Sequence, residues 1–291
     1  MVRHLFPMIS FSNVLSIATL LLTCSVSWAV DFDHAHKDWD KVLKSHVHGS
    51  LVDYASLAKD TQLLDRYLKQ LDSVPRTVVD DWSRDKQLAF WINAYNAFTL
   101  RVILDYYPIR TWTFKGLVVP RNSIIQIPGV WKKIKWEVAG QSLTLDHIEH
   151  GLIRPTFNEP RIHFAIECAS IGCPSLRAEA IIFDKLEDQL EDQARTYLSN
   201  TSRGVLLDYE KGRVCVSKLF KWFNEDFDVE APTGFQLSNR TKKERNAIHF
   251  IARYLKDPLV WDFLQSPDTD FDFLSYDWSL NELPRNHDTA S

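Results

Sequence analysis

Gln87-Leu88-Ala89-Phe90-Trp91-Ile92-Asn93-Ala94-Tyr95-Asn96-Ala97-Phe98-Thr99-Leu100-Arg101-Val102-Ile103-Leu104 is the stretch on which the fold turns. Apolar side chains occupy nearly every side of it, and Pro108 follows. A helix apolar all round is stable only when other elements enclose it, so the pattern predicts a central buried helix over 87–104. Asn93 and Asn96 are three apart and share one side of that helix. A desolvated amide is costly without a partner. Both amides therefore need either the backbone of a nearby loop or a ligand, and Tyr95 between them joins them as a candidate substrate contact.

Upstream, residues 35–81 carry two apolar stripes at helical spacing, Trp39, Val42 and Leu43, then Leu63, Leu64, Tyr67, Leu68 and Leu71, before Pro75 interrupts. Two amphipathic helices joined by a turn at His48-Gly49-Ser50 are expected. Downstream the pattern turns to strands at Val118-Val119, at Ile124-Ile125, and at Ile134, Trp136 and Val138, with an Ala139-Gly140 turn and a return at Leu143. Residues 146–155 read as a short helix, started by Thr144 or by an Asp146/Glu149 capping box and stopped by Pro155. Residues 161–167 alternate, with Ile162, Phe164 and Ile166 on one side, and predict a strand. The small, turn-prone segment 168–175 becomes a loop on a rigid support, a frequent carrier of function. Asp184 and Glu187 then cap a helix, and a hairpin forms around Lys211-Gly212. An aromatic helical piece follows at 219–223, and Thr241 with Glu244 caps a last helix closed by Pro258. The sum is an α+β class, a helical N-terminal half packed on a mainly antiparallel sheet.

At the N-terminus, Arg3 and His4 precede an apolar run, and Ser27-Trp28-Ala29 supplies small residues for cleavage. Residues 1–29 thus read as a secretory signal peptide, too short in its apolar stretch to span a bilayer. One domain over 30–291 is expected, with residues 283–291 as a frayed tail and no membrane association after cleavage. A periplasmic or secreted location follows. The formal net charge of -4 gives no overall basic field, which argues against nucleic acid as a partner. Lys132-Lys133-Ile134-Lys135, beside Trp131 and Trp136, reads as a solvated strand face.

Export leaves Cys168, Cys173 and Cys215 where disulfides can form. Cys168 or Cys173 is a candidate nucleophile, and such a thiol needs a base. On an extended strand His163 would lie ~16 Å from Cys168, which points instead to His150 and His147, with Glu149 to orient an imidazole. His163 is left as a candidate substrate contact. The alternative is a non-catalytic peptide- or partner-binding module stapled by a Cys168–Cys173 disulfide. Cys215, inside Val214-Cys215-Val216, reads as buried packing. Histidine pairs occur at 34/36, 46/48 and 147/150, but none has the order of a zinc-enzyme signature, and neither metal nor cofactor is expected.

The motifs at 90–97, 146–150, 163–174 and 276–281, among them Phe90-Trp91-Ile92-Asn93-Ala94-Tyr95-Asn96-Ala97 and Glu167-Cys168-Ala169-Ser170-Ile171-Gly172-Cys173-Pro174, resemble the domain-of-unknown-function family numbered 547. The resemblance implies an exported bacterial protein and a papain-like or transglutaminase-like fold. It also implies a cysteine-dependent hydrolase or acyl or thiol transferase acting on a peptide or small-thiol substrate. Glu167 departs from the family pattern, where an amide is the more familiar neighbour of the first cysteine. An anionic Glu there would raise the thiol pKa.

Overall fold

The computed structural model describes residues 32–109, 119–237 and 239–284. The signal peptide expected at 1–29, the strand start expected at Val118 and the residues beyond 284 lie outside the described residues. The two N-terminal stripes form helices Lys37–His46 (α1) and Gln62–Ser73 (α3), which bury Trp39, Val42 and Leu43 on one and Leu64, Tyr67 and Leu71 on the other. Between them the expected turn closes a short hairpin, Val47–His48 (β1) with Leu51–Val52 (β2), followed by a single helical turn, Tyr54–Leu57 (α2). Beyond Pro75 lies Arg76–Asp80 (α4).

The central helix runs Arg84–Tyr106 (α5), and every residue from Leu88 to Leu100 is buried. Both asparagines are answered by backbone. Asn93 Oδ1 accepts from Ile181 N at 3.0 Å and from Trp39 Nε1 at 3.1 Å, while its Nδ2 donates to Ile181 O at 2.6 Å. Asn96 Nδ2 donates to Ala165 O and its Oδ1 accepts from Glu167 N, each at 2.9 Å.

The strand reading of 161–167 is corrected by the structure. Pro160–Phe164 is a 3-10 helix, opened by Pro160 and by Glu159, whose carboxylate accepts from Arg161 N. Ile162, Ala165 and Ile166 enter one apolar core while Phe164 enters a second, so the alternation reflects two cores and not one sheet face. Asn96 satisfies the backbone groups of Ala165 and Glu167 that a neighbouring strand would have paired.

Ile124–Gln126 is likewise a 3-10 turn, and the strands begin at Lys135–Val138 (β3), paired antiparallel with Gln141–Thr144 (β4). The next segment is a wide π-helical turn, His147–Ile153, continuing into Arg154–Phe157 (α6). Thr144 Oγ1 caps it by accepting from His147 N at 3.1 Å, and Asp146 makes no side-chain cap. Pro155 does not stop it: the helical run continues through Pro155 to Phe157.

A 3-10 turn at Phe183–Lys185, without a side-chain cap from Asp184, leads into Leu186–Leu198 (α7). The expected hairpin is Val205–Asp208 (β5) with Arg213–Val216 (β6), but a third strand, Asp270–Phe273 (β7), pairs with β6 in parallel. Leu219–Trp222 (α8), a 3-10 turn at Asn224–Phe227 and Lys242–Ala252 (α9) follow, α9 with its Thr241/Glu244 capping box. Pro258 opens a further helix, Pro258–Gln265 (α10), that periodicity alone did not reveal. The class is α+β, with its sheet in three small pieces. One apolar core surrounds α5 and the other lies under α7, β5, β6, α8 and α9. Among the described residues no helix is long and apolar enough to cross a membrane.

Candidate active site

The cysteine loop follows the 3-10 helix and is held by the C-terminal segment. Ile171 N donates to Ser279 O and Gly172 N to Asp277 O, both at 2.8 Å, and Ser170 bridges antiparallel to Leu280. Gly172 is required by this approach, since a Cβ there would lie 2.9 Å from Asp277 N. Ala169 sits at φ 56°, a left-handed conformation that L-residues resist, and is fully buried. Arg203 fastens the far side, donating to Ile171 O at 3.1 Å, Cys173 O at 2.9 Å and Ser175 Oγ at 2.6 Å.

This wiring sets Cys168 Sγ 2.6 Å from Cys173 Sγ, and both cysteines are free thiols. That separation exceeds the ~2.05 Å of a disulfide bond. Cys168 Sγ also lies 3.0 Å from Tyr276 Oη and 3.4 Å from Ser170 Oγ, while Cys173 Sγ accepts from Cys168 N at 2.9 Å. The two sulfurs are inequivalent. Hydrogen bonds from the Cys173 thiol and from Ser170 and Tyr276 pull the Cys168 thiol below its usual pKa against the effect of burial. Burial and the neighbouring Cys168 sulfur push Cys173 well up. Cys168 is therefore the thiolate-prone member, and it is partly buried where Cys173 is buried.

Glu167 does not act as a neighbouring anion. It is buried, and desolvation first, then the Cys168 charge, raises its carboxyl well above the usual range. Asn281 Nδ2 donates to its Oε1 at 2.9 Å, and Tyr54 Oη donates to Asn281 Oδ1 at 2.8 Å. The carboxyl is a neutral strut, so the expected rise in thiol pKa from an anionic Glu167 loses its cause.

A second group of side chains comes from the π-helical turn, from the start of α6 and from the 3-10 helices Pro160–Phe164 and Asn224–Phe227. Burial lifts Glu149 from the usual 4.5 to about 7, against a hydrogen bond from Tyr95 Oη at 3.2 Å. Arg154 grips Asp226 in a fork at 2.6 and 2.9 Å and contacts His150 Nδ1 at 2.9 Å. His163 Nε2 lies 2.6 Å from Asp226 Oδ2, and its ring stacks on Phe223 at 4.0 Å. Burial lowers the His163 pKa and keeps the ring neutral, while Asp226 is held ionised by its His163 and Arg154 partners. Nε2 therefore carries the proton that Asp226 accepts.

Members of both groups line one cavity of about 650 Å³, whose walls include Tyr95, Glu149, His150, His163, Cys168 and Cys173. Six of the nine residues expected to form a site thus meet. The distance argument against His163 rested on a strand that the structure replaces with a 3-10 helix; His163 lies on the cavity wall with its Nε2 on Asp226, and the partners of Cys168 Sγ are Cys173, Ser170 and Tyr276. His147 is exposed and not part of the lining, and Asn93 and Asn96 are committed to backbone. Sequence reasoning missed Tyr276, Ser170, Arg154, Asp226 and Arg203. Tyr276 contacts a cysteine 108 positions away, a pairing no local periodicity encodes. Cys215 lies in β6, buried as expected, its thiol raised by burial. Among the described residues no group of three or more His, Cys, Asp or Glu side chains could hold a metal ion.

No curated protein and no solved structure matches the chain. Residues 79–198, which carry α5, the π-helical turn and both site cysteines, match the family model described as protein of unknown function, DUF547, and the match supports that family for this chain.

Proposed function

We propose that Cys168 is the nucleophile of a thiol-exchange reaction on a peptide or small-thiol substrate, with Cys173 as its partner sulfur. The observation that carries this reading is the 2.6 Å approach of two free, inequivalent sulfurs on the wall of a cavity. The Cys168 thiolate attacks one sulfur of a substrate disulfide, forming a mixed disulfide and expelling the other sulfur as a thiolate. Cys173 then attacks Cys168 Sγ, closing the Cys168–Cys173 bond and releasing the second substrate thiol. The substrate disulfide gains two electrons and two protons, both supplied by the cysteine pair, and the reverse direction oxidises a substrate dithiol. Hydrolysis or acyl transfer in a papain-like manner would call for an imidazole on the sulfur, whereas the partners of Cys168 are Cys173, Ser170 and Tyr276. The leader read at 1–29 supports a periplasmic or secreted location, where disulfide-bearing substrates occur.

Iodoacetamide labelling of the folded, reduced protein tests the assignment. Cys168→Ser is expected to abolish rapid labelling with the fold intact. Labelling that persists in Cys168→Ser and is lost in Cys173→Ser moves the nucleophile to Cys173. Loss of folding in both variants favours the structural staple of a non-catalytic binding module instead.

A further inference from the structure

We infer that the substrate is a polypeptide whose reacting cysteine lies beside a large, neutral apolar side chain, which seats on an aromatic wall formed by Trp131, Trp278, Tyr276 and Trp222. The chemistry rests on the thiol-exchange reading; the selectivity rests on the cavity.

The four rings are continuous. Trp131 and Trp278 stand 6.3 Å apart between centroids, Trp278 and Tyr276 4.6 Å, and Trp222 lies 4.8 Å from Tyr276 and 5.8 Å from Trp278. All four line the cavity that holds the sulfurs, and Tyr276 itself touches Cys168, so a group resting on the wall lies next to the reacting atom. Trp222 is 44% exposed, an indole surface that a bound apolar group would cover. Aromatic faces of this kind reward edge or offset contact with another ring beyond simple burial.

Charged groups beside the cavity are partly taken up by one another. Arg154 is forked to Asp226, and His163 donates to the same carboxylate. Lys132 and Lys133 stand in the lining, with Lys132 3.7 Å from Asp146, and they disfavour a cationic neighbour. The volume, about 650 Å³, falls within the range of sites that engulf a short ligand, room for about two or three residues.

The test uses the reduced full-length protein and mixed disulfides of 2-mercaptoethanol with the acetylated, amidated dipeptides Phe-Cys, Ser-Cys, Glu-Cys and Arg-Cys. Release of peptide thiol is followed by mass spectrometry. Phe-Cys is expected to react roughly tenfold faster than Ser-Cys, the gain of one good aromatic contact, with Arg-Cys slowest. Trp222→Ala should bring the Phe/Ser ratio close to one. Equal rates for all four peptides, or Glu-Cys fastest, overturn the inference. If no disulfide reacts at all, thiol exchange falls by itself. The variant carrying both Cys168→Ser and Cys173→Ser then decides the aromatic seat, by tryptophan fluorescence on titration with the acetylated amides of Phe-Ser and Ser-Ser. Tighter binding of Phe-Ser upholds it, and equal binding overturns it.

Discussion

Glu149 and Glu167 are both buried carboxyl groups raised by desolvation, yet they are built for different ends. Glu149 lines the cavity, takes one hydrogen bond from Tyr95 and feels the Arg154 cation, which keeps its pKa near 7. Glu167 lies behind the cysteine loop, where Asn281 Nδ2 donates to its Oε1, and burial raises its carboxyl well above the usual range. The same side chain is a group that titrates around neutrality in one place and a fixed hydrogen-bonding strut in the other. Each feels one cation, Arg154 at Glu149 and Arg203 at Glu167, and what separates them is access to the cavity.

The largest effect that would sharpen this contrast is at Glu167. Glu167→Ala strands the Asn281 amide and opens a void, and should cost about 4 kcal/mol in urea unfolding. Glu167→Gln keeps the size and a carbonyl acceptor. A raised folded pKa means that the stability contributed by the acid, complete below its unfolded pKa, is lost as pH rises. The Gln variant should therefore gain on the parent steadily between pH 5 and 8. A Gln variant as damaged as Ala would break the strut interpretation.

At Glu149 the sign is the same and the window lower. Stability present below pH 4.5 is lost as pH climbs through about 7, a shift worth about 3 kcal/mol. Glu149→Gln should flatten that slope in unfolding measured at pH 5 and pH 8; an unaltered slope would assign the pH dependence to other groups. Smaller still is Arg203→Lys, which cannot reproduce the fork to Ile171 O, Cys173 O and Ser175 Oγ and should cost about 1–2 kcal/mol. Last comes Tyr276→Phe, which removes a donor from Cys168. Its thiol pKa should rise and iodoacetamide labelling at pH 7 slow by a few-fold, with stability nearly unchanged. Unchanged labelling would show that the hydroxyl does not tune the sulfur.

Where one core encloses an element, the sequence was readable. The α5 segment buries residues on every side, and its two amides were legible as groups that need partners, although backbone and ligand were both left open until the structure showed backbone. The cysteine loop was found because small residues punctuate it. The segment before it was misread because Ile162 and Phe164 point into different cores, and a two-core 3-10 helix imitates the two faces of a strand. The ionic group at Asp226 was invisible for another reason. It joins residues 63 and 72 positions apart, so spacing within any one element carries no trace of it. Thr144 and Glu244, acting within a few residues of their partners, were both legible.

The strap from Tyr276 to Leu283 also sets a schedule. Ribosomes add about 5–20 residues each second, and 108 positions separate Cys168 from Tyr276. Both sulfurs thus exist for several seconds or more before their hydroxyl partner and the Asp277 and Ser279 carbonyls have been made. During that interval Cys168 lacks one of its three side-chain partners, and the loop lacks the carbonyls that hold Ile171 and Gly172.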